Sequence, residues 1–282
     1  MPVTCSRAAD IAIVRLDWPE YRNALDDARA AELRATLNSL ADDISLRGVV
    51  LTGTGAFCSG GDLRFFQDFV APSSGRATDE ISRELGEVIY ARFQGVIRAV
   101  LALAVPVAAA IDGAAIGFGC DIALACDVRF MSDAGWLLLG WDRVGLVPGG
   151  GGLFRLAQIT GTPAVWRILA ERKRLSAGSA AELGLAIPCG TGSAVDSAVS
   201  FLRRLADLPP ATVREYTALL RSLDSGRFTE HLDACREAQQ RLLVAPEFSD
   251  LANQALAAGP AGKAARLTAP GTRQASDPPA EM

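Results

Sequence analysis

Three glycine-bearing segments hold the chemical potential of this 282-residue chain: CSGGDL at 58–63, GAAIGFGCDIALACD at 113–127 and PGGGG at 148–152. The first two each follow an expected strand and open an expected helix, so each can aim an unpaired main-chain N–H at a common point. Two such donors together make an oxyanion hole, which stabilises negative charge developing on a carbonyl oxygen. Asp121 and Trp141 are the neighbouring side chains that bear on which reaction follows. PGGGG lacks the GKS or GKT ending of a phosphate loop, so it does not read as a nucleotide cradle.

The elements that must position these loops follow from hydrophobic periodicity. Ile11–Leu16 alternates as a strand, Asp26–Ala41 reads as an amphipathic helix, and Gly48–Thr52 is an apolar run of the buried-strand kind. Residues 80–104 keep helical spacing until Pro106 breaks the pattern ahead of a buried strand, Val107–Ile111. Val128–Met131 is a further strand, and beyond the 140–152 segment strong strand signals fade. From about Ala194 the chain reads as helices at 194–207, 211–223, 228–244 and 247–257. The class is therefore α/β, with a core over 1–193, a helical region over 194–258 and a tail over 259–282. The tail is rich in Ala, Pro, Gly and Thr and is expected to be disordered, while PSSG at 72–75 reads as a mobile hinge.

Composition excludes several classes. The formal net charge is −4 and lysine occurs only at Lys173 and Lys263, so no lysine comb exists to grip a nucleic-acid backbone. Six cysteines lie scattered without CxxC spacing, which supports neither a metal site nor a disulfide framework and fits a reduced, cytoplasmic setting. No signal peptide is expected, and no membrane span either, because the apolar stretch from Val96 to Ile111 contains Arg98 and is broken by Pro106. His231 is the only histidine and falls in a late helix, where it is expected at the surface; a Ser-His-Asp or Cys-His mechanism has little support. Cys58 and Cys120 read as packing residues.

Five segments together carry a family resemblance: LDWPEYRNALD (16–26), GAFCSGGDL (55–63), AIDGAAIGFGCDIALACDVRF (110–130), VGLVPGGGGLFRL (144–156) and SAAELGLA (179–186). In this order they resemble the enoyl-CoA hydratase/isomerase family, the crotonase superfamily, from about residue 10 to about residue 258. The resemblance implies a crotonase-like spiral of ββα turns, a helical C-terminal trimerisation region, homotrimers or dimers of trimers, and an acyl-CoA substrate. Coenzyme A then enters as part of the thioester and no tightly bound cofactor is expected. It places the oxyanion N–H groups on Gly61 and Phe118, the second at a position where glycine is commoner in the family. Each well-aimed donor to a thioester enolate is worth about 3 kcal/mol. The resemblance also makes Arg22 a phosphate contact and lines the nucleotide or pantetheine path with Ala24, Ser59, Asp62 and Leu63; the preferred reading of Asp62 is a cap on the following helix.

The departures from the family pattern lie at the acid/base positions. Its hydratases hold a water between two glutamates, one in the first turn after the second oxyanion loop and one shortly before the glycine run. This chain has Asp121 at the first and, counting back from Pro148, Trp141 at the second. One carboxylate suits proton shuttling in isomerisation, or protonation of an enolate after decarboxylation or C–C cleavage, better than hydration. The helix start favours ionised Asp121, and its apolar neighbours favour the neutral acid. Asp142 is the alternative proton carrier. Trp141, with Trp136 and the run Phe65, Phe66, Phe69 and Val70, points to a lipophilic, flat or aromatic acyl group. The aryl-CoA dehalogenating branch also carries tryptophan there, but Gly149 stands where that branch needs its aspartate. The readings kept open are an isomerase-like or lyase-like enzyme, a tailoring enzyme for an aromatic or polyketide-derived thioester, and a non-catalytic acyl-CoA-binding protein.

Overall fold

The computed structural model describes residues 3–71 and 75–257. The expected tail and all of the PSSG hinge except Gly75 lie outside the described residues.

Strands β1 (Val3–Ala8) and β2 (Ile11–Leu16) pair antiparallel; β3 (Gly48–Gly53), β4 (Val107–Ile111), β6 (Val128–Met131) and β9 (Ile187–Pro188) then add in parallel, giving the order β1-β2-β3-β4-β6-β9. A second sheet holds β5 (Ala114–Ile116), β7 (Trp136–Leu138) and β8 (Leu175–Ser176). Cys58 extends its edge through a parallel bridge to Ala115. The chain therefore climbs by repetition: a strand in the large sheet, a short paired segment in the small one, then a helix. β3, Cys58 and α2 (Leu63–Val70) make one turn; β4, β5 and α5 (Phe118–Ala125) make the next; β6, β7 and α6 (Gly152–Thr160) make the third. This is the ββα spiral that the resemblance implies.

The central parallel strands β3 and β4 are buried on both faces, which is why they read as unbroken apolar runs. Val49, Leu51, Val107, Ala109 and Ile111 face the main core, while Val50, Ala108 and Ala110 face α9 (Ala194–Ala206) through Ala194, Ala198 and Leu202. Small residues on both sides let α9 lie close to the sheet. On the core side, α1 (Asp27–Ser39) is capped by the Asp26 carboxylate, which accepts from Arg29 N–H.

Several elements differ from the sequence expectation. β1, β5, β7, β8 and β9 were not anticipated; β5, β7, β8 and β9 have only two or three residues and β1 is exposed along most of its length, too little pattern for a period to register. The helix expected over 80–104 is divided into α3 (Thr78–Val88), one wide turn (Ile89–Phe93) and α4 (Gln94–Ala102). Gln94 N–H reaches Ile89 O five residues back, and its fully buried side chain donates to Gly149 O at 3.0 Å and Leu232 O at 2.6 Å. The last helices, α10 (Pro210–Ser222), α11 (Ser225–Leu243) and α12 (Pro246–Ala257), match the expected ranges closely. α11 and α12 fold back on their own chain, against α3 and α2 respectively. His231 is half-buried rather than at the surface, because α11 brings its ring to 5.5 Å from Phe154 of α6 and to 3.3 Å from Cys235 Sγ. Among the described residues no helix is long and apolar enough to cross a membrane.

Leu202 has no exposed surface and packs against β3 at Gly48. Leu202→Ala is expected to destabilise the fold by about 3 kcal/mol, read from the shift in a urea unfolding midpoint.

Candidate active site

Backbone pairing creates the site. Leu25 N–H donates to Gly60 O at 2.8 Å and Asp62 N–H donates to Leu25 O at 2.8 Å. In such a parallel bridge the intervening residue, Gly61, turns its own N–H away from Leu25, and it finds no partner among the described residues. On the next turn of the spiral, Gly117 N–H is held by Leu138 O at 3.0 Å, while Gly117 O takes the N–H groups of Cys120 and Asp121. Phe118 is the first residue of α5, so its N–H has no carbonyl one turn back and also lacks a partner among the described residues.

These two segments approach so closely that side chains are excluded between them. Gly60 has φ of +96°, and a Cβ there would lie 2.7 Å from Ile116 O and 3.3 Å from Phe118 N. A Cβ on Gly119 would lie 2.1 Å from Cys58 O. The cradle beside Phe118 N–H is thus open only because Gly60 has no side chain.

Asn23 locks the incoming turn and was missed by sequence reasoning. Fully buried with φ of +57°, it accepts from Trp18 N–H at 2.8 Å through Oδ1 and donates from Nδ2 to Ala56 O at 2.7 Å. It ties the 18–25 turn to the strand leading into CSGGDL. The RN pair, set between two apolar residues in a turn, was its only local signal.

An apolar cavity lies in front of the two N–H groups. Gly61, Phe118, Trp141, Ser59, Leu63 and Phe66 all line it, together with Ile89, Phe93, Leu146 and Gln239, which sequence reasoning did not assign. The wide turn in the α3–α4 helix supplies Ile89 and Phe93, and α11 supplies Gln239. Phe66, Phe93 and Phe118 form a chain of ring contacts at 5.2 and 5.1 Å. Of the anticipated lipophilic group, Phe66 and Trp141 reach the cavity. Phe65 packs on Phe66 and Phe69 packs on Phe65, and Trp136 lies under the Arg174 guanidinium at 4.0 Å, away from the cavity.

The remaining predicted site residues lie elsewhere. Arg22 is exposed and contributes its carbonyl to Ser59 N–H at 3.0 Å; Ala24 is half-buried in the same turn, and neither lines the cavity. Asp62 is occupied structurally: Oδ1 caps α2 by accepting from Arg64 N–H at 3.0 Å, and Oδ2 pairs with Arg29 at 2.8 Å. Asp142 is turned to Arg172 Nε at 2.7 Å and is not in the cavity wall. Cys58 is fully buried and its thiol is pushed up to about 12, while burial also raises Cys120. Both are inert packing thiols.

Asp121 projects from the first turn of α5 into the space beneath the glycine run and does not line the cavity. It is 1 % exposed; Oδ2 accepts from Gly150 N–H at 2.8 Å, and Oδ1 has no partner. A Cβ on Gly152 would fall 2.1 Å from that free oxygen and 3.3 Å from Trp141 Cζ2, while one on Gly150 would fall 2.7 Å from Phe118 Cε2. The carboxyl therefore sits one layer behind the wall made by Phe118, Trp141 and the glycine backbone. Desolvation by burial outweighs the Gly150 hydrogen bond and raises its pKa from 3.8 to about 8, so the folded protein holds a neutral acid at pH 7.

The sign of the linkage follows. In the unfolded chain Asp121 ionises near 3.8 and in the folded chain near 8, so its contribution to stability is fully present below about pH 4 and is lost as pH rises to 8. Asp121→Asn removes that loss. The stability difference between variant and parent, measured by urea unfolding, is expected to move in the variant's favour between pH 4 and pH 8 and to level off above it.

Residues 6–255 match the family model described as enoyl-CoA hydratase/isomerase. A protein of Mycobacterium tuberculosis named "Probable enoyl-CoA hydratase" is 30 % identical over 215 residues, covering 76 % of this chain and 77 % of that protein. The fold is similar to the crystal structure of enoyl-CoA hydratase from Bacillus halodurans, with a TM-score of 0.80 at 22 % identity, covering 90 % of this chain and all of that one. It is similar also to an enoyl-CoA hydratase/isomerase from Mycobacterium paratuberculosis, with a TM-score of 0.78 at 23 % identity over 90 % of this chain and 98 % of that one. With the spiral, the paired glycine loops and a family match spanning nearly its whole length, the chain belongs to the enoyl-CoA hydratase/isomerase family.

Proposed function

We propose that a coenzyme A thioester occupies the cavity with its carbonyl oxygen between the N–H groups of Gly61 and Phe118, and that Asp121 exchanges a proton with the α-carbon. The observation that carries this reading is the pair of unpartnered main-chain donors in the wall of an apolar cavity. Both serve an enolate oxygen better than a neutral carbonyl, and the amino end of α5 adds its positive potential. Arg22, exposed near the mouth, suits a phosphate of coenzyme A, with Ser59 and Leu63 along the pantetheine path. The aromatic wall suits a flat or lipophilic acyl group.

The protonation state of Asp121 favours a lyase-like step. In a decarboxylation the bond between the α-carbon and a carboxylate carbon breaks, and that carbon departs as carbon dioxide. The bonding electron pair becomes the thioester enolate, and neutral Asp121 delivers the proton that restores the α-carbon and is itself reprotonated from solvent. Isomerisation runs the other way and starts from ionised Asp121. Hydration lacks its second carboxylate, since Trp141 holds that place and Asp142 is paired with Arg172. Proton delivery requires the Phe118 or Trp141 ring to move, because the carboxyl lies behind them. That same burial supports a second reading, a non-catalytic acyl-CoA-binding protein. Assembly as homotrimers or dimers of trimers is supported by the exposed face of α10 at Tyr216, Leu219, Leu220 and Leu223. The free cysteines fit a cytoplasmic setting.

Turnover of a panel of CoA thioesters in D2O tests the reading, with mass spectrometry of deuterium at the α-carbon. Asp121→Asn is expected to slow incorporation about 100-fold or more; an unchanged rate removes Asp121 from the mechanism. For the lyase-like step the rate is expected to be flat below about pH 8 and to fall above it, whereas isomerisation gives a rate that rises through the same pKa. Tight acyl-CoA binding without turnover of any thioester establishes the binding-protein reading instead.

A further inference from the structure

Trp141 is 6 % exposed and lines the cavity, yet its indole Nε1–H has no hydrogen-bond partner. A buried donor left without an acceptor is costly, and a native cavity that keeps one is complementary to something that supplies the acceptor. The edge of the ring that carries it faces the start of α5: Cδ1 and Nε1 lie 3.6 and 3.7 Å from where a Cβ on Gly117 would stand. Gly117 is followed by Phe118, whose N–H is one of the two main-chain donors. The indole N–H therefore lies against the residue that precedes Phe118, closed off until the ring turns, and a single thioester oxygen accounts for the two main-chain donors alone.

The third donor calls for a second oxygen within a few bonds of the thioester. Its chemistry is narrowed by the rest of the lining, which contains no lysine, arginine or histidine. A carboxylate there would be desolvated without a counter-charge, whereas a neutral oxygen carries no such penalty. A ketone is a pure acceptor and matches a pure donor; a hydroxyl would bring an O–H needing an acceptor of its own.

We propose that Trp141 is a specificity-determining hydrogen-bond donor to a keto oxygen on the β-carbon of the acyl group, making 3-oxoacyl thioesters the substrate class of this cavity. This rests on the acyl-CoA reading given under the proposed function. It assigns Trp141 a polar role in addition to its aromatic surface. Its place in the wall beside Gly117 puts the second oxygen next to the first, where both carbonyls of a 3-oxoacyl group can be held at once.

Isothermal titration with three CoA thioesters of equal chain length, 3-oxoacyl, 3-hydroxyacyl and saturated acyl, tests the assignment on the parent protein and on Trp141→Phe. The phenylalanine variant keeps an aromatic wall and removes the donor; circular dichroism checks that it is folded. The parent is expected to bind the 3-oxoacyl thioester about tenfold more tightly than the saturated one, and the variant to reduce that ratio to about one. Should the variant fail to fold, the preference in the parent decides alone. Equal affinity of the parent for 3-oxoacyl and saturated thioesters, or a preference that survives in Trp141→Phe, overturns the assignment while leaving acyl-CoA binding intact. A 3-hydroxyacyl thioester bound as tightly as the 3-oxoacyl one overturns the choice of a ketone. Failure of all three to bind overturns the acyl-CoA reading and this inference with it.

Discussion

Everything at this site depends on how closely two backbone segments approach. Cys58 and Ala115 pair across successive turns of the spiral, and the residues that follow, Gly60 and Gly119, have no side chains to hold the segments apart. With Cβ atoms at those positions, the first would press on Ile116 O and Phe118 N and the second on Cys58 O. The N–H groups of Gly61 and Phe118 are left unpaired by the same pairing pattern that fixes their neighbours. Their availability is therefore a product of the fold and needs no flexible side chain to arrange it.

The surrounding structure reads as support for that approach. Asn23 anchors the turn that presents Leu25 to Gly60 and Asp62. Gln94 pins the glycine run to α11, and α11 closes the cavity with Gln239, whose side chain donates to Val147 O. The wide turn at Ile89–Phe93 aims Ile89 and Phe93 inward, an irregularity in a long helix that coincides with the ligand cavity. Buried polar groups here are satisfied almost throughout. The exceptions at the centre, Asp121 Oδ1 and Trp141 Nε1, flank the glycine run.

Much of this was legible in the chain. Val107–Ile111, Val128–Met131 and the four late helices carry unbroken apolar runs or helical spacing, and the glycine loops announce close approaches that only backbone can make. The short strands of the second sheet were not legible, because two or three residues give no period. Neither was the route of α11 and α12 back to the site, which long-range packing determines. Residue types picked out Asp121 and Asp142 as candidate proton carriers but could not orient them. Asp142 turns to Arg172 because a nearby guanidinium solvates its charge better than an apolar cavity does, and Asp121 sinks beneath Gly150 and Gly152 where only small residues leave room for it.

The central claim is that the two main-chain N–H groups polarise a thioester carbonyl. The most direct measurement is the isotope-edited infrared spectrum of a bound CoA thioester labelled with carbon-13 at the carbonyl. Polarisation by Gly61 and Phe118 predicts a carbonyl stretch at lower frequency than for the same thioester in water. A bound thioester whose carbonyl stretch lies at or above the aqueous frequency would contradict the account.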